Sequence, residues 1–243
     1  MVNNFKFPTT PLLLEHLLAT TLGGPLYAAM SGLARPWQKR NTNMRLREDL
    51  RTLHRMLTLN MGKGFYSYAL HQRAPDVWTD ASRHDPNRGE SYSGGGFLSA
   101  CGRYSHFRFG RAFARSQLID FMEGYTVLLA VQHLAPLWRH CKVTVWIDNS
   151  TFQQAGEGGR SRVERLNWLL RKLLILQVEY DFVLSYAWIS THDNYLADHL
   201  SRGRVDEFLQ QVLSSGQLAS GADLRAVGHP GEVVSLPRMG WDQ

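Results

Sequence analysis

The spacing of apolar residues changes at Pro75. Upstream, Leu46, Leu50, Leu53 and Leu57 recur at helical intervals and predict a helix from Met44 to Met61. Leu12 to Leu22 is a second helical candidate. Downstream, Val77–Ser82, Gly95–Ala100 and Tyr104–Phe109 read as short strands. The polar stretch 83–93 is a loop between the first two, and Gly102 fits a tight turn between the second and third. Helical spacing returns over Leu118 to Leu134, read as one amphipathic helix within about 116–135, and a strand follows at 142–148. Gly156-Glu157-Gly158-Gly159 reads as a glycine loop. A long helix at about 161–179 carries Val163, Leu166, Leu169, Leu170, Leu173, Leu174 and Leu176. Phe182–Ile189 is the last expected strand, and helices at about 194–202 and 204–214 follow it.

From 77 to 214 the order is therefore β-β-β-α-β-α-β-α. Three antiparallel strands followed by two strands each reached through a helix predict an α/β fold, with a mixed five-stranded sheet flanked by helices. The expected organisation is a basic helical extension over 1–75, a domain over 76–215 and a flexible tail over 216–243, which is rich in Gly, Ser and Pro. Gly94-Gly95-Gly96 has two readings, a close backbone approach at an edge strand or a flexible entry to it.

Composition adds a partner class. Apolar residues make up 44% of the chain, which excludes wholesale disorder. Lys plus Arg less Asp plus Glu is 27 − 21, or +6, which fits a polyanionic partner such as nucleic acid and equally fits a soluble protein with a basic surface. Arg35, Lys39, Arg40, Arg45, Arg47, Arg51 and Arg55 concentrate that charge in the extension. Cys101 and Cys141 have no metal-ligand spacing and fit a reducing compartment, so an intracellular location in cytoplasm or nucleus is expected. The apolar segment Pro11 to Ala34 is broken by Glu15, His16 and Gly23-Gly24-Pro25, too short an uninterrupted run to span a bilayer.

Four acids carry the candidate chemistry. Asp80 and Asp148 end strand-like runs, Glu123 lies on the helix after the third strand, and Asp198 opens a later helix. A carboxylate at the end of a buried strand is costly unless paired, hydrated or metal-bound. Several on neighbouring elements of one sheet can share divalent ions, an arrangement suited to phosphodiester hydrolysis. Taken singly, each would more often be a cap or a solvated charge.

Trp78-Thr79-Asp80-Ala81-Ser82, Met122-Glu123, Ile147-Asp148-Asn149-Ser150 and Asn194-Tyr195-Leu196-Ala197-Asp198-His199-Leu200-Ser201-Arg202 together resemble the ribonuclease H domain attached to retrotransposon reverse transcriptases. The last follows the family pattern Asn-x-x-Ala-Asp-x-Leu-Ser-Arg and is the most specific of the four. Asp148-Asn149-Ser150-Thr151 with Gly158-Gly159-Arg160-Ser161 is similar to the DIRS-like, tyrosine-recombinase branch. The resemblance covers about 77–203, and 35–75 resembles the connection segment that precedes ribonuclease H in such polyproteins. It implies a ribonuclease H-like fold and an endonuclease that cleaves the RNA strand of RNA–DNA hybrids by two-metal hydrolysis. It also implies a reverse transcriptase polymerase domain or subunit as partner, although the sequence holds no Tyr-x-Asp-Asp.

The site implied by the resemblance is two Mg²⁺ ions, or Mn²⁺, held by Asp80, Glu123, Asp148 and Asp198; oxygen-only ligands favour these ions over zinc. Ser82, Asn149, Arg83 and Arg160 are the expected substrate contacts. The family usually has a His-x-Gly loop before the last Asp, whereas this chain has Ser190-Thr191-His192-Asp193. His192 is either a proton shuttle or an exposed loop histidine, and Asp193 reads as a helix cap. Arg162, Arg165, Arg171 and Lys172 form a basic helix face or an ordinary solvated one. Trp146 and Trp188 read as core, and Glu157 as a loop charge. Two other functions compete: a catalytically inactive nucleic-acid-binding or assembly module using the basic 35–75 segment, and a transposase or integrase. A Glu on the first helix and an Asp on the last oppose the second of these.

Overall fold

The computed structural model describes residues 44–59, 72–73, 76–83, 93–228 and 230–234. The candidate helix Leu12–Leu22, the Pro11–Ala34 segment and most of the basic extension lie outside the described residues. In chain order the main elements are α1 (Met44–Leu59), β1 (Gln72–Arg73), β2 (Val77–Ser82), β3 (Gly94–Ser99) and β4 (Arg103–Phe109). There follow α2 (Arg111–Ser116), α3 (Ile119–Leu134), β5 (Cys141–Ile147), α4 (Ser150–Gly158), α5 (Glu164–Tyr180) and β6 (Val183–Trp188). α6 (Tyr195–Ser201), α7 (Val205–Val212), β7 (Arg225–Ala226) and β8 (Val233–Val234) are the last of the described elements.

The main strands lie in the order β4-β3-β2-β5-β6. β2, β3 and β4 are antiparallel neighbours, while β2 with β5 and β5 with β6 are parallel. This is the expected mixed sheet with the five expected strands at its centre; among the described residues β1, β7 and β8 extend it to eight. One edge of β5 is shared: Gln72–Arg73 pairs with Cys141–Lys142, and Val77–Thr79 pairs with Val145–Ile147.

Both faces of the sheet are covered, so every residue of β2 is buried. On one face Val77, Phe97, Phe107 and Val145 pack with residues of α3, α4 and α5. On the other, Trp78 and Leu98 meet Leu196, Ala197 and Leu200 of α6 and Phe208 and Val212 of α7. α3 was expected to be amphipathic; it is buried on nearly all sides, including Met122, Glu123, Thr126 and Val127. An apolar helix of that kind belongs in a core.

Three local differences have physical causes. Residues 111–134 form two helices, because Gln117 takes an extended backbone (φ −106°, ψ 147°) between α2 and α3. The expected glycine loop is the end of α4: Gly156 faces the Tyr186 ring, where a Cβ would come within 2.7 Å, and Gly159 is the left-handed cap at φ 62°. Gly96 is a close approach, but on a central strand rather than an edge. A Cβ there would fall within 2.7 Å of backbone atoms of Leu200 and Ser201 in α6.

Described segments on either side of the expected domain dock on it. α1 packs on α5. Between them Arg171, expected on a basic face, is buried: its Nε donates to Asp49 Oδ1 at 2.8 Å and Nη1 to Glu164 Oε1 at 3.0 Å. The stretch from 216, expected as a flexible tail, pairs along β4 through β7 and β8 as far as Val234. Among the described residues no helix is long and apolar enough to cross a membrane.

Candidate metal centre

Strand register brings two of the acids together. β2 and β5 run parallel with Thr79 opposite Ile147, so Asp80 and Asp148 are the next residues on neighbouring strands. Asp80 is in the body of β2 rather than at its end, and Asp148 follows β5 directly. α3 packs against β2 and contributes Glu123. Carboxylate oxygens of Asp80, Glu123 and Asp148 lie within 4.8 Å of one another.

Water cannot dilute this charge. Asp80 and Glu123 are only 4% and 3% exposed. Burial pushes the Asp80 carboxyl up to about 7; the Asp148 and Asp198 charges add to that, while the Ser201 hydrogen bond and Arg202 oppose it. Burial, then the charges of Asp80 and Asp148, hold Glu123 well above the usual carboxylate range. Asp148 is raised by burial, against the hydrogen bond from Thr191. Glu123 Oε2 is buried and has no hydrogen-bond partner among the described residues. Clustered carboxylates with an orphaned oxygen form an oxygen-only donor set that fits a divalent cation, which would satisfy that oxygen and offset the repulsion.

Asp198, the fourth expected ligand, lies outside this trio. Arg202, one turn later in sequence, donates from Nε to Asp198 Oδ1 at 2.7 Å. The carboxylate is therefore paired rather than capping α6. Its charge still acts on both Asp80 and Asp148.

The other expected site residues scatter. Ser82 is buried, and its hydroxyl donates to the Ser201 carbonyl at 2.6 Å, which removes it from any substrate surface. Asn149 is the cap of α4: Oδ1 accepts from the Phe152 amide, and Nδ2 donates to Asp120 Oδ1, each at 2.9 Å. Arg83 and Arg160 are exposed. The His192 side chain is 97% exposed, with Nδ1 3.5 Å from Asp193 Oδ1. Asp193 is engaged by the Ser190 hydroxyl at 2.5 Å rather than capping a helix. Arg162, Arg165 and Lys172 are exposed; Arg165 Nη1 reaches Gln117 Oε1 at 2.8 Å.

Three residues beside the acids were missed or misread. Thr191 Oγ1 donates to Asp148 Oδ2 at 3.0 Å. The Ser201 hydroxyl donates to Asp80 Oδ2. Trp188, expected in the core, is 56% exposed, and its indole Nε1 donates to the Asp148 carbonyl at 3.1 Å. Leu184 and Tyr186 on the same strand are buried. The strand's alternation places Trp188 with them, and only its end position exposes it.

The element order and sheet order define a ribonuclease H-like fold. No protein-family model matches the sequence, and no curated protein matches it. Among solved structures the chain is similar to ribonuclease H1 of the halophilic archaeon Halobacterium salinarum, at 15% identity and TM-score 0.43, covering 55% of this chain and 98% of that one. It is also similar to a compost-metagenome ribonuclease H1 solved with an RNA/DNA hybrid, at 16% identity and TM-score 0.44, covering 56% and 99%. A third is a foamy viral protease-reverse transcriptase in complex with an RNA/DNA hybrid, at 15% identity and TM-score 0.36. There the match covers 57% of this chain and 21% of that one.

Proposed function

We propose that this chain is a metal-dependent endonuclease that hydrolyses the RNA strand of RNA–DNA hybrids and derives from a retroelement. The observation that carries the reading is the meeting of Asp80, Glu123 and Asp148 with a buried, partnerless Glu123 oxygen. Asp80, Glu123 and Asp148 would hold Mg²⁺ or Mn²⁺, with Asp198 adding a fourth negative charge alongside. Divalent ions bound there would supply activation of a water and neutralisation of charge at the phosphate.

The chain's own residues prepare that site. Thr191 fixes one oxygen of Asp148. The Trp188 indole pins the backbone of the same residue, and its exposed ring offers a flat surface beside the acids for a base or sugar. Arg83 and Arg160, both exposed, are the proposed phosphate contacts. Choice of the RNA strand would rest on the 2′-hydroxyl and A-form-like geometry. His192, at the surface, is free to meet a bound strand and is proposed to move protons there.

The test is cleavage of a labelled RNA–DNA hybrid with Mg²⁺ by the wild type and by Asp148→Asn. Asp148→Asn is expected to lower the rate roughly 100-fold or more, the scale of losing one preorganised electrostatic contact. Hybrid binding without cleavage in either protein would replace the nuclease with a binding module.

A further inference from the structure

We propose that Ser201 is a positioning residue for Asp80, aiming its carboxylate at the ion; this rests on the metal-centre reading above. A terminal carboxylate torsion is soft and has no sharp rotamer. In a site closed to water, whatever hydrogen bond the protein supplies sets the plane of the group. Ser201 supplies that bond, because its fully buried hydroxyl donates to Asp80 Oδ2.

The surroundings fix Ser201 in turn. Its carbonyl accepts from the Ser82 hydroxyl at 2.6 Å, two residues beyond Asp80 on β2. Asn194, at the start of α6, donates from Nδ2 to the Thr79 carbonyl at 2.9 Å. The helix thus grips β2 at Thr79, Asp80 and Ser82. The next residue, Arg202, holds Asp198. Adjacent Ser201 and Arg202 therefore orient two different carboxylates from one helix end. The hydroxyl takes one acceptor position of Oδ2, so Oδ1 and the second lone pair of Oδ2 would be open to an ion. Hydrogen-bonded supports of metal ligands commonly govern affinity as well as activity.

A bland alternative is a buried hydroxyl that is merely satisfied, since the Asp198 carbonyl, 3.0 Å away, can take its single proton instead. Mn²⁺ titration of the metal-free protein by calorimetry separates the two. Thermal unfolding in EDTA serves as the fold control. The variants are Ser201→Ala, Ser201→Cys (similar in shape, a weaker donor), Ser82→Ala and Asp80→Asn. Ser82→Ala removes a comparable buried hydroxyl from the same clasp without touching Asp80.

Expected is Mn²⁺ affinity about tenfold or more weaker in Ser201→Ala, a smaller loss in Ser201→Cys, and Ser82→Ala within about twofold of wild type. Should Ser201→Ala fail to fold, Ser201→Cys decides. Wild-type affinity in the Ser201 variants, with affinity lost in Asp80→Asn, overturns the positioning role and leaves the metal centre standing. Equal loss in Ser82→Ala and Ser201→Ala reduces Ser201 to packing and overturns it as well. No Mn²⁺ binding by wild type removes the metal centre itself.

Discussion

At Asp80 one side chain carries opposing demands. The strand buries it, yet a charged carboxylate gains most from water. Its pKa near 7, against an ordinary 3.8, records that conflict, and Glu123 and Asp148 shift the same way. Because the folded value is raised, the folded state binds the proton more tightly than the unfolded chain. This stabilisation is complete below about pH 4 and is lost as pH rises through about 7. In EDTA the melting temperature should therefore fall between pH 4.5 and pH 8, and Mn²⁺ at pH 8 should restore it. Asp80→Asn should flatten both responses. A pH-independent melt that Mn²⁺ leaves unmoved would contradict the reading of the carboxylate cluster.

Residue identity alone carried much of the geometry of the acids and little of their support. Acids at the ends of apolar runs point to a shared sheet edge, and Asp80, Glu123 and Asp148 do converge. Nothing in the sequence tells which of two nearby serines faces a carboxylate. Ser82 reads as a substrate contact and Ser201 carries no expected role, yet Ser82 turns to a carbonyl of α6 and Ser201 meets Asp80, because the direction of a hydroxyl depends on how α6 crosses β2. Trp188 has the composition of core and the position of surface, and only the end of the strand distinguishes them.

At the scale of elements, apolar spacing located the five main strands to within a residue or so, since strands buried on both faces need continuous apolar runs. Glycines were harder to interpret. Those near 156–159 make room for Tyr186 and cap a helix, whereas a loop was expected. Gly96 has the largest consequence, because α6 rests against its backbone at the level of Asp80. Gly96→Ala must push Leu200 and Ser201 away. We expect a loss of about 1–3 kcal/mol in chemical denaturation, typical of overpacking. Mn²⁺ affinity should fall as well, because the helix that moves is the one holding Asp80 and Asp198. An alanine variant with wild-type stability and affinity would show that α6 does not bear on β3.

At the scale of the molecule, the described parts outside the expected domain are fastened to it. Two-residue strands such as β1, β7 and β8 are too short to leave any periodicity, so apolar spacing does not reveal them. The contact of α1 was hidden for another reason: Arg171 lies among basic neighbours and reads as surface charge. It is instead paired with Asp49 and Glu164, with Asp49 as deeply buried as the arginine. Asp49→Ala would leave that guanidinium with only the more exposed Glu164, at a cost of about 3 kcal/mol. Urea denaturation checks the magnitude, and amide exchange over 44–59 checks whether α1 detaches first. An unchanged midpoint would mean the ion pair merely accompanies the docking.

The two short strands along β4 have a consequence for assembly. Without them, β4 would present a row of bare amide and carbonyl groups seven residues long, open to pairing with another chain. Val233 and Val234 act as a seam that closes the sheet's free margin. A chain cut after the last helix would carry an adhesive border, and its copies would tend to aggregate through β4 however well the acidic cluster itself had folded.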